Sequence, residues 1–220
     1  MAAQEQALTT DTYYEETNIM KSQIFHLPIS SLCRLCHPVD ESIDHLISSC
    51  TFLVQSHYKK RHDVVASYIH WKLSNNAGFD VVKNWWQHRS DSVLENDVCR
   101  ILWDYTIFTG SSLAHNRPDI TYMIKGENKT MFIEVAVPGD SRISHKMVEK
   151  KERYADLCIL INKLWRTSAT VVPIVIGALG SIPLGLVSEL ELLGLHPSTV
   201  SVLQKAVLLS TARTLRHVLT

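Results

Sequence analysis

The run Cys33-Arg34-Leu35-Cys36, followed by His45 and then by Cys50 after four intervening residues, constrains this chain more than any other stretch. A Cys-x2-Cys pair puts two thiols on one tight loop, and His45 with Cys50 brings two further donors on the helical turns that follow. Four soft or borderline ligands within tetrahedral reach fit Zn2+. A unit this small has little core of its own, so metal binding would supply most of its folding free energy. His37 is an alternative donor to His45, and the competing reading is a chance cluster of three cysteines and a histidine. Five cysteines is an odd count, and the start of the chain has neither a basic opening nor an apolar run of signal-peptide length. An intracellular, reducing setting follows, in which crowded cysteines act as metal ligands rather than as a disulfide framework. Cys99 and Cys158 lie in apolar stretches and read as buried thiols.

With 220 residues, 45% of them apolar, the chain has material for one ordinary domain and a small appendage. Residues 1–30 read as a poorly ordered lead-in with a short helix near 15–25. Residues 31–75 hold the knuckle and two helices, the apolar positions from Ser42 to Leu73 recurring at helical spacing. A loop signal at 74–90 places the boundary near residue 75, and 76–220 form the main domain. There the segment 99–109 alternates as a strand with Ile101, Trp103, Tyr105 and Ile107 on one side. Segments 119–125 and 129–137 form a hairpin, 143–166 a solvated helix, 170–178 a buried strand, and 184–194 and 198–218 two closing helices. The order β-β-β-α-β-α-α describes an α/β chain with a mixed sheet flanked by helices. The uncharged run 171–187 is broken by Pro173, Gly177, Gly180, Pro183 and Gly185 and is short for a membrane span.

The 22 basic and 22 acidic residues cancel, so the whole chain exerts no strong electrostatic pull on nucleic acid or membrane. The segment 141–166 is locally basic. In the hairpin, a turn centred between Gly126 and Glu127 sets Asp119 directly opposite Glu134, with Cβ atoms about 5 Å apart. Two carboxylates that close favour a cation between them, and hard oxygen ligands with open water positions suit Mg2+. The same register gathers Ile120, Tyr122, Met131, Ile133 and Val135 on one face, whereas a one-residue slip would separate the carboxylates. Lys146, Lys150 and Tyr154 recur every four residues on the next helix and share a face. The plain alternative is a Pro-Asp turn opener, a strand glutamate and a solvated lysine-rich helix.

Taken in order, CRLCHPVDESIDHLISSC, YKKRHDVVASYIHWKL, SVLENDVCRILWD, NRPDITYMI, MFIEVAVP, VEKKERYADL, PIVIGALG and LQKAVLLSTARTLRHVL resemble the C-terminal zinc knuckle and restriction-like endonuclease region of non-LTR retrotransposon (reverse transcriptase) proteins. The resemblance runs from about residue 30 to the end. It implies a PD-(D/E)xK restriction-endonuclease-like fold that nicks target DNA so that a reverse transcriptase can prime on the break. It further implies that Asp119 and Glu134 bind a catalytic Mg2+ or Mn2+, that Arg117 belongs to an Arg-Pro-Asp motif, and that Lys150 and Tyr154 form a Lys-x-x-x-Tyr helix motif. Glu95 is implied to assist at the metal.

The sequence departs from the pattern in two places. Val135-Ala136 follows Glu134, so the lysine usual two places on is absent, which makes Lys150 the candidate and Lys151 the reserve. Arg153 stands where relatives carry a second lysine, keeping charge but not proton transfer. No reverse transcriptase segment stands ahead of the knuckle in these residues, so this chain is expected not to copy RNA by itself. The partners expected are DNA, element RNA and a separate reverse transcriptase, with no membrane; nuclear residence follows from the resemblance alone. The rival expectation is a catalytically inactive nucleic-acid-binding relic, or a domesticated zinc-knuckle module.

Overall fold

The computed structural model describes residues 13–110 and 112–220. Of the expected lead-in, residues 1–12 lie outside the described residues; helix α1 (Asn18–Gln23) falls where a short helix is expected. The protein is mixed α/β. Its five-stranded sheet runs β1 (Val93–Glu95), β2 (Cys99–Trp103), β3 (Ile120–Ile124), β4 (Lys129–Ala136) and β5 (Ser168–Val175), and its spatial order is its chain order. The first four strands form an antiparallel meander. β5 lies parallel to β4, and keeping the same direction requires a crossover. Two helices supply it, α4 (Ile143–Arg153) and α5 (Ala155–Trp165).

Helices cover both faces of the sheet. One face carries Ile101, Ile120, Met131, Ile133 and Val135, packed on helix α3 (Lys59–Asn76) through Val65, Ile69 and Leu73, and on helix α7 (Thr199–Leu219) through Leu203 and Val207. Helix α6 (Leu186–Leu192) closes the same core with Leu186 and Leu190. The opposite face holds Phe132 against Tyr154, Leu157 and Ile161 of the crossover. A strand covered on both sides should be apolar almost throughout, and from Met131 to Ala136 β4 is so except at Glu134, which is buried at 1% exposure.

The knuckle is not detached from this body. Helix α2 (Ile43–Ser48) packs with Leu53 against Leu215, Val218 and Leu219 at the end of α7. Helix α3, grouped with the knuckle by sequence, contributes to the main core. Arg61 joins the two: its guanidinium, buried at 1% exposure, donates to the Ile47 carbonyl at 2.7 Å and to Thr211 Oγ1 at 2.9 Å, and lies over the Tyr58 ring. Burial lowers its pKa to about 10, so it stays charged at neutral pH. No helix among the described residues is long and apolar enough to cross a membrane.

Three elements depart from the sequence reading. The strand expected over 99–109 stops at Trp103, because Asp104 adopts a left-handed φ of 46° and donates its N–H to the Asp119 carbonyl. Tyr105 is consequently exposed, and Ile107 turns into the opposite core. The helix expected over 143–166 breaks at Tyr154, whose φ of −109° separates α4 from α5. Its hydroxyl donates to the Arg117 carbonyl at 3.0 Å. Strand β1 is new: three residues paired with β2.

Candidate metal sites

The knuckle begins as a short antiparallel bridge between Leu32 and Asp40. The Cys33 N–H bonds the Val39 carbonyl at 2.7 Å, which folds the Cys33–Cys36 loop back on itself. His37 takes a φ of 69° at the turn, and His45 rather than His37 completes the ligand group. Ser42 caps helix α2 by accepting the His45 N–H at 3.2 Å, and the helix carries His45 back over the loop. The ligand atoms of Cys33, Cys36, His45 and Cys50 lie within 4.8 Å of one another. Cys33 Sγ and Cys50 Sγ are 4.0 Å apart, and Cys36 Sγ is 3.2 Å from His45 Nε2. A tetrahedral zinc–thiolate site has sulfur–sulfur edges of about 3.8 Å, so the group can hold a metal such as zinc.

Electrostatics agree with that geometry. Burial pushes the Cys50 thiol up to about 12 and raises that of Cys36, so these thiols need a cation to ionise. Burial lowers the His45 pKa, which favours the neutral, ligating imidazole. Around the donors, the Leu35 N–H points at Cys33 Sγ at 3.4 Å. Tyr58 accepts from the Cys50 N–H at 3.1 Å and donates to the Leu46 carbonyl at 2.8 Å. Arg34 pairs with the fully buried Glu41 at 2.8 Å and donates to the Val218 carbonyl, tying the knuckle to the end of α7.

The second site grows from the hairpin. Ile120 faces Ile133, so the register carried one step outward sets Asp119 opposite Glu134, as the sequence indicates. The Asp119 N–H donates to Glu134 Oε1 at 3.1 Å, and Asp119 Oδ2 accepts the Val135 N–H at 2.8 Å. Lys150 reaches in from α4, its Nζ 2.7 Å from Glu134 Oε2 and 4.0 Å from Asp119 Oδ2. Lys151, one residue on, points elsewhere and pairs with Glu189 at 2.9 Å. Burial and the charge of Asp119 lift the Glu134 pKa above the ordinary range, against the pull of Lys150. For Asp119, burial is outweighed by the bond from His62 and the charges of His62 and Lys150, which hold its pKa low.

Comparison with protein-family models and with curated proteins gives no match.

His62 is the residue that sequence reasoning missed. Its Nε2 is 3.1 Å from Asp119 Oδ2 and its Nδ1 is 3.0 Å from Asp63 Oδ1. Burial opposes a charge on this ring, but the two carboxylates prevail and raise its pKa to about 9, so both nitrogens donate at neutral pH. Its only signal in the sequence is its place in RHD on a helix, 57 positions from Asp119, and nothing local pairs the two. Asp63, Asp104, Asp119, His62, Lys59 and Trp103 enclose a cavity of about 90 Å3.

The remaining expected residues are placed less centrally. Arg117 turns its guanidinium to Asp104, bonding the carboxylate at 2.8 Å and the carbonyl at 2.9 Å, and meets the site only through its own carbonyl, which takes the Tyr154 hydroxyl. Burial, with the charge of Glu134, raises the Tyr154 pKa, so the phenol acts as a donor. Glu95 stands apart. It pairs with Arg100, which faces Met123 near the turn of the hairpin, whereas Asp119 precedes its opening residue. It is bound there by Arg100 at 2.6 Å and Lys125 at 2.8 Å. The expected assistance of Glu95 at the metal therefore has no geometric basis, because β1 is an edge strand running away from the carboxylate pair.

Proposed function

We propose that this chain is a metal-dependent DNA endonuclease domain of the PD-(D/E)xK type, nicking target DNA as in non-LTR retrotransposon integration and working with a separate reverse transcriptase. The observation that carries this reading is the convergence of Asp119, Glu134 and Lys150, contributed by three elements, on atoms 2.7 to 4.0 Å apart. A buried glutamate between Ile133 and Val135 on a covered strand opposes folding unless it is compensated. Its retention beside a second carboxylate and a lysine is characteristic of functional sites.

The donor set is hard oxygen from two carboxylates, next to a small cavity bordered by further aspartates, and this fits Mg2+ or Mn2+ with several waters kept. Such an ion, when bound, would supply Lewis acidity toward a phosphodiester. Asp119 and Glu134 would hold it. Lys150, released from Glu134 by that binding, would be free to face the phosphate and balance developing negative charge. Val135 N–H and His62 would keep Asp119 aimed, and Tyr154 would fix the Arg117–Asp119 turn. The knuckle, zinc-loaded, would anchor the start of α3 and hence His62.

Nicking of supercoiled plasmid by zinc-loaded protein with Mg2+ or Mn2+, compared with Asp119→Ala at matched zinc content, tests this reading. Cleavage in the wild type and none in the variant is expected. No cleavage by folded wild type with either ion would favour the second reading, a nucleic-acid-binding relic. One feature supports that alternative: Lys150 and His62 already neutralise the carboxylate pair.

A further inference from the structure

On another side of α3 lies a larger cavity, about 950 Å3, between α3, the 85–88 turn and α7. It shares only Asp63 with the carboxylate cavity. Val64, Val202 and Leu209 give its lining an apolar part. At one end Trp85 packs edge-on against Tyr68 at 5.1 Å, and Trp86 packs edge-on against Trp85 at 6.1 Å. This ladder starts from a core tyrosine and holds Trp86 outward at 67% exposure. Along the groove stand Lys60, Lys205 and Arg213, all exposed, and none forms an ion pair among the described residues. Among the described residues the lining has one carboxylate, Asp63, and it is already engaged by Lys59 and His62.

We propose that this groove binds a short single-stranded nucleic-acid segment, with a base stacked on Trp86 and phosphates against Lys60, Lys205 and Arg213. A rigid exposed ring offers the face of a base a partner whatever the sequence, and uncompensated cations along the same groove attract a polyanion. A duplex keeps its bases stacked inside and offers Trp86 no free base face, so the site selects unpaired strands. The assignment is independent of the nuclease reading, since it uses none of the residues at the carboxylates.

The test is fluorescence anisotropy of a labelled oligothymidylate with zinc-loaded protein carrying Asp119→Ala, which removes cleavage from the readout. Against that background, Trp86→Ala should weaken binding about tenfold, and Trp86→Phe should restore most of the affinity. The pair Lys205→Gln and Arg213→Gln should lower the slope of log affinity against log salt by about 1.4. A duplex of the same length should compete poorly. These side chains are exposed, so the variants keep the fold, as equal thermal midpoints would verify. Unchanged affinity in all variants overturns the proposal, and so does Trp86-dependent binding of an acidic amphipathic peptide with no oligonucleotide binding. Because binding is read without cleavage, failure of plasmid nicking leaves the result for this groove intact, and failure here leaves nicking intact.

Discussion

His62 Nε2 stands 3.1 Å from Asp119 Oδ2, so the helix that follows the knuckle holds the carboxylate that opens the hairpin. Replacing His62 by Ala leaves Asp119 with the Val135 N–H and Lys150 alone. Loss of a charge-assisted bond at a largely enclosed carboxylate should reduce stability by about 2 kcal/mol. Denaturant unfolding would show this as a lower midpoint at unchanged m-value; an unaltered midpoint would mean that the contact contributes nothing.

Lys150 and Lys151 are adjacent and should behave oppositely. Lys150→Ala takes the cation from the buried Glu134, while Asp119 keeps His62, and should lower stability by about 3 kcal/mol and abolish nicking. Lys151→Ala removes an exposed lysine from a largely buried Glu189, at a cost of about 1 kcal/mol, and should leave nicking intact. Equal losses of nicking in the two variants would refute the assignment of Lys150.

Removal of zinc should have a larger effect than either substitution. With no cation to ionise its buried thiols, the knuckle loses its organising centre, and its contacts with the end of α7 loosen with it. A chelator, or Cys50→Ser, should lower the thermal midpoint by roughly 10 °C. Metal analysis should find one zinc per wild-type chain, and Cys158→Ser should keep it.

His70 supplies a pH dependence. Its ring is fully buried, with Nδ1 2.8 Å from His88 Nε2 and, among the described residues, no partner for Nε2. Burial, then the proximity of His88, lowers its pKa from 6.5 to about 4. As pH falls, the unfolded chain therefore takes up this proton first. The stabilisation is complete above pH 6.5 and lost on descending toward 4, amounting to about 2 kcal/mol between pH 7 and 5. Urea midpoints should show a flatter profile for His70→Asn over this interval; parallel profiles would contradict the assignment.

Local chemistry was the legible part of the sequence. The spacing from Cys33 to Cys50 indicated the ligand group but left His37 and His45 open, which the fold of the loop decides for His45. Alternation of Ile120 and Tyr122 against Met131, Ile133 and Val135 fixed the hairpin register, and with it the Asp119–Glu134 pair. Features set at long range were not legible. The chain from 143 to 166 has no glycine or proline to break a helix, yet it breaks at Tyr154, whose hydroxyl bonds a carbonyl 37 positions away. Trp103 and Tyr105 continue an alternation that Asp104 ends, held by Arg117. Nothing near Glu95 indicates that an edge strand carries it away from the hairpin opening, and nothing near His62 indicates its partner.

The first turns of α3 serve three destinations from neighbouring positions. Lys60 faces the groove, Arg61 enters the seam between knuckle and core, and His62 meets Asp119. Successive residues of a helix are rotated by about 100°. Deleting or inserting one residue between 59 and 64 would shift all three side chains into the wrong compartments at once, whereas single substitutions disturb one. This stretch should therefore accept changes of residue type far more readily than changes of length.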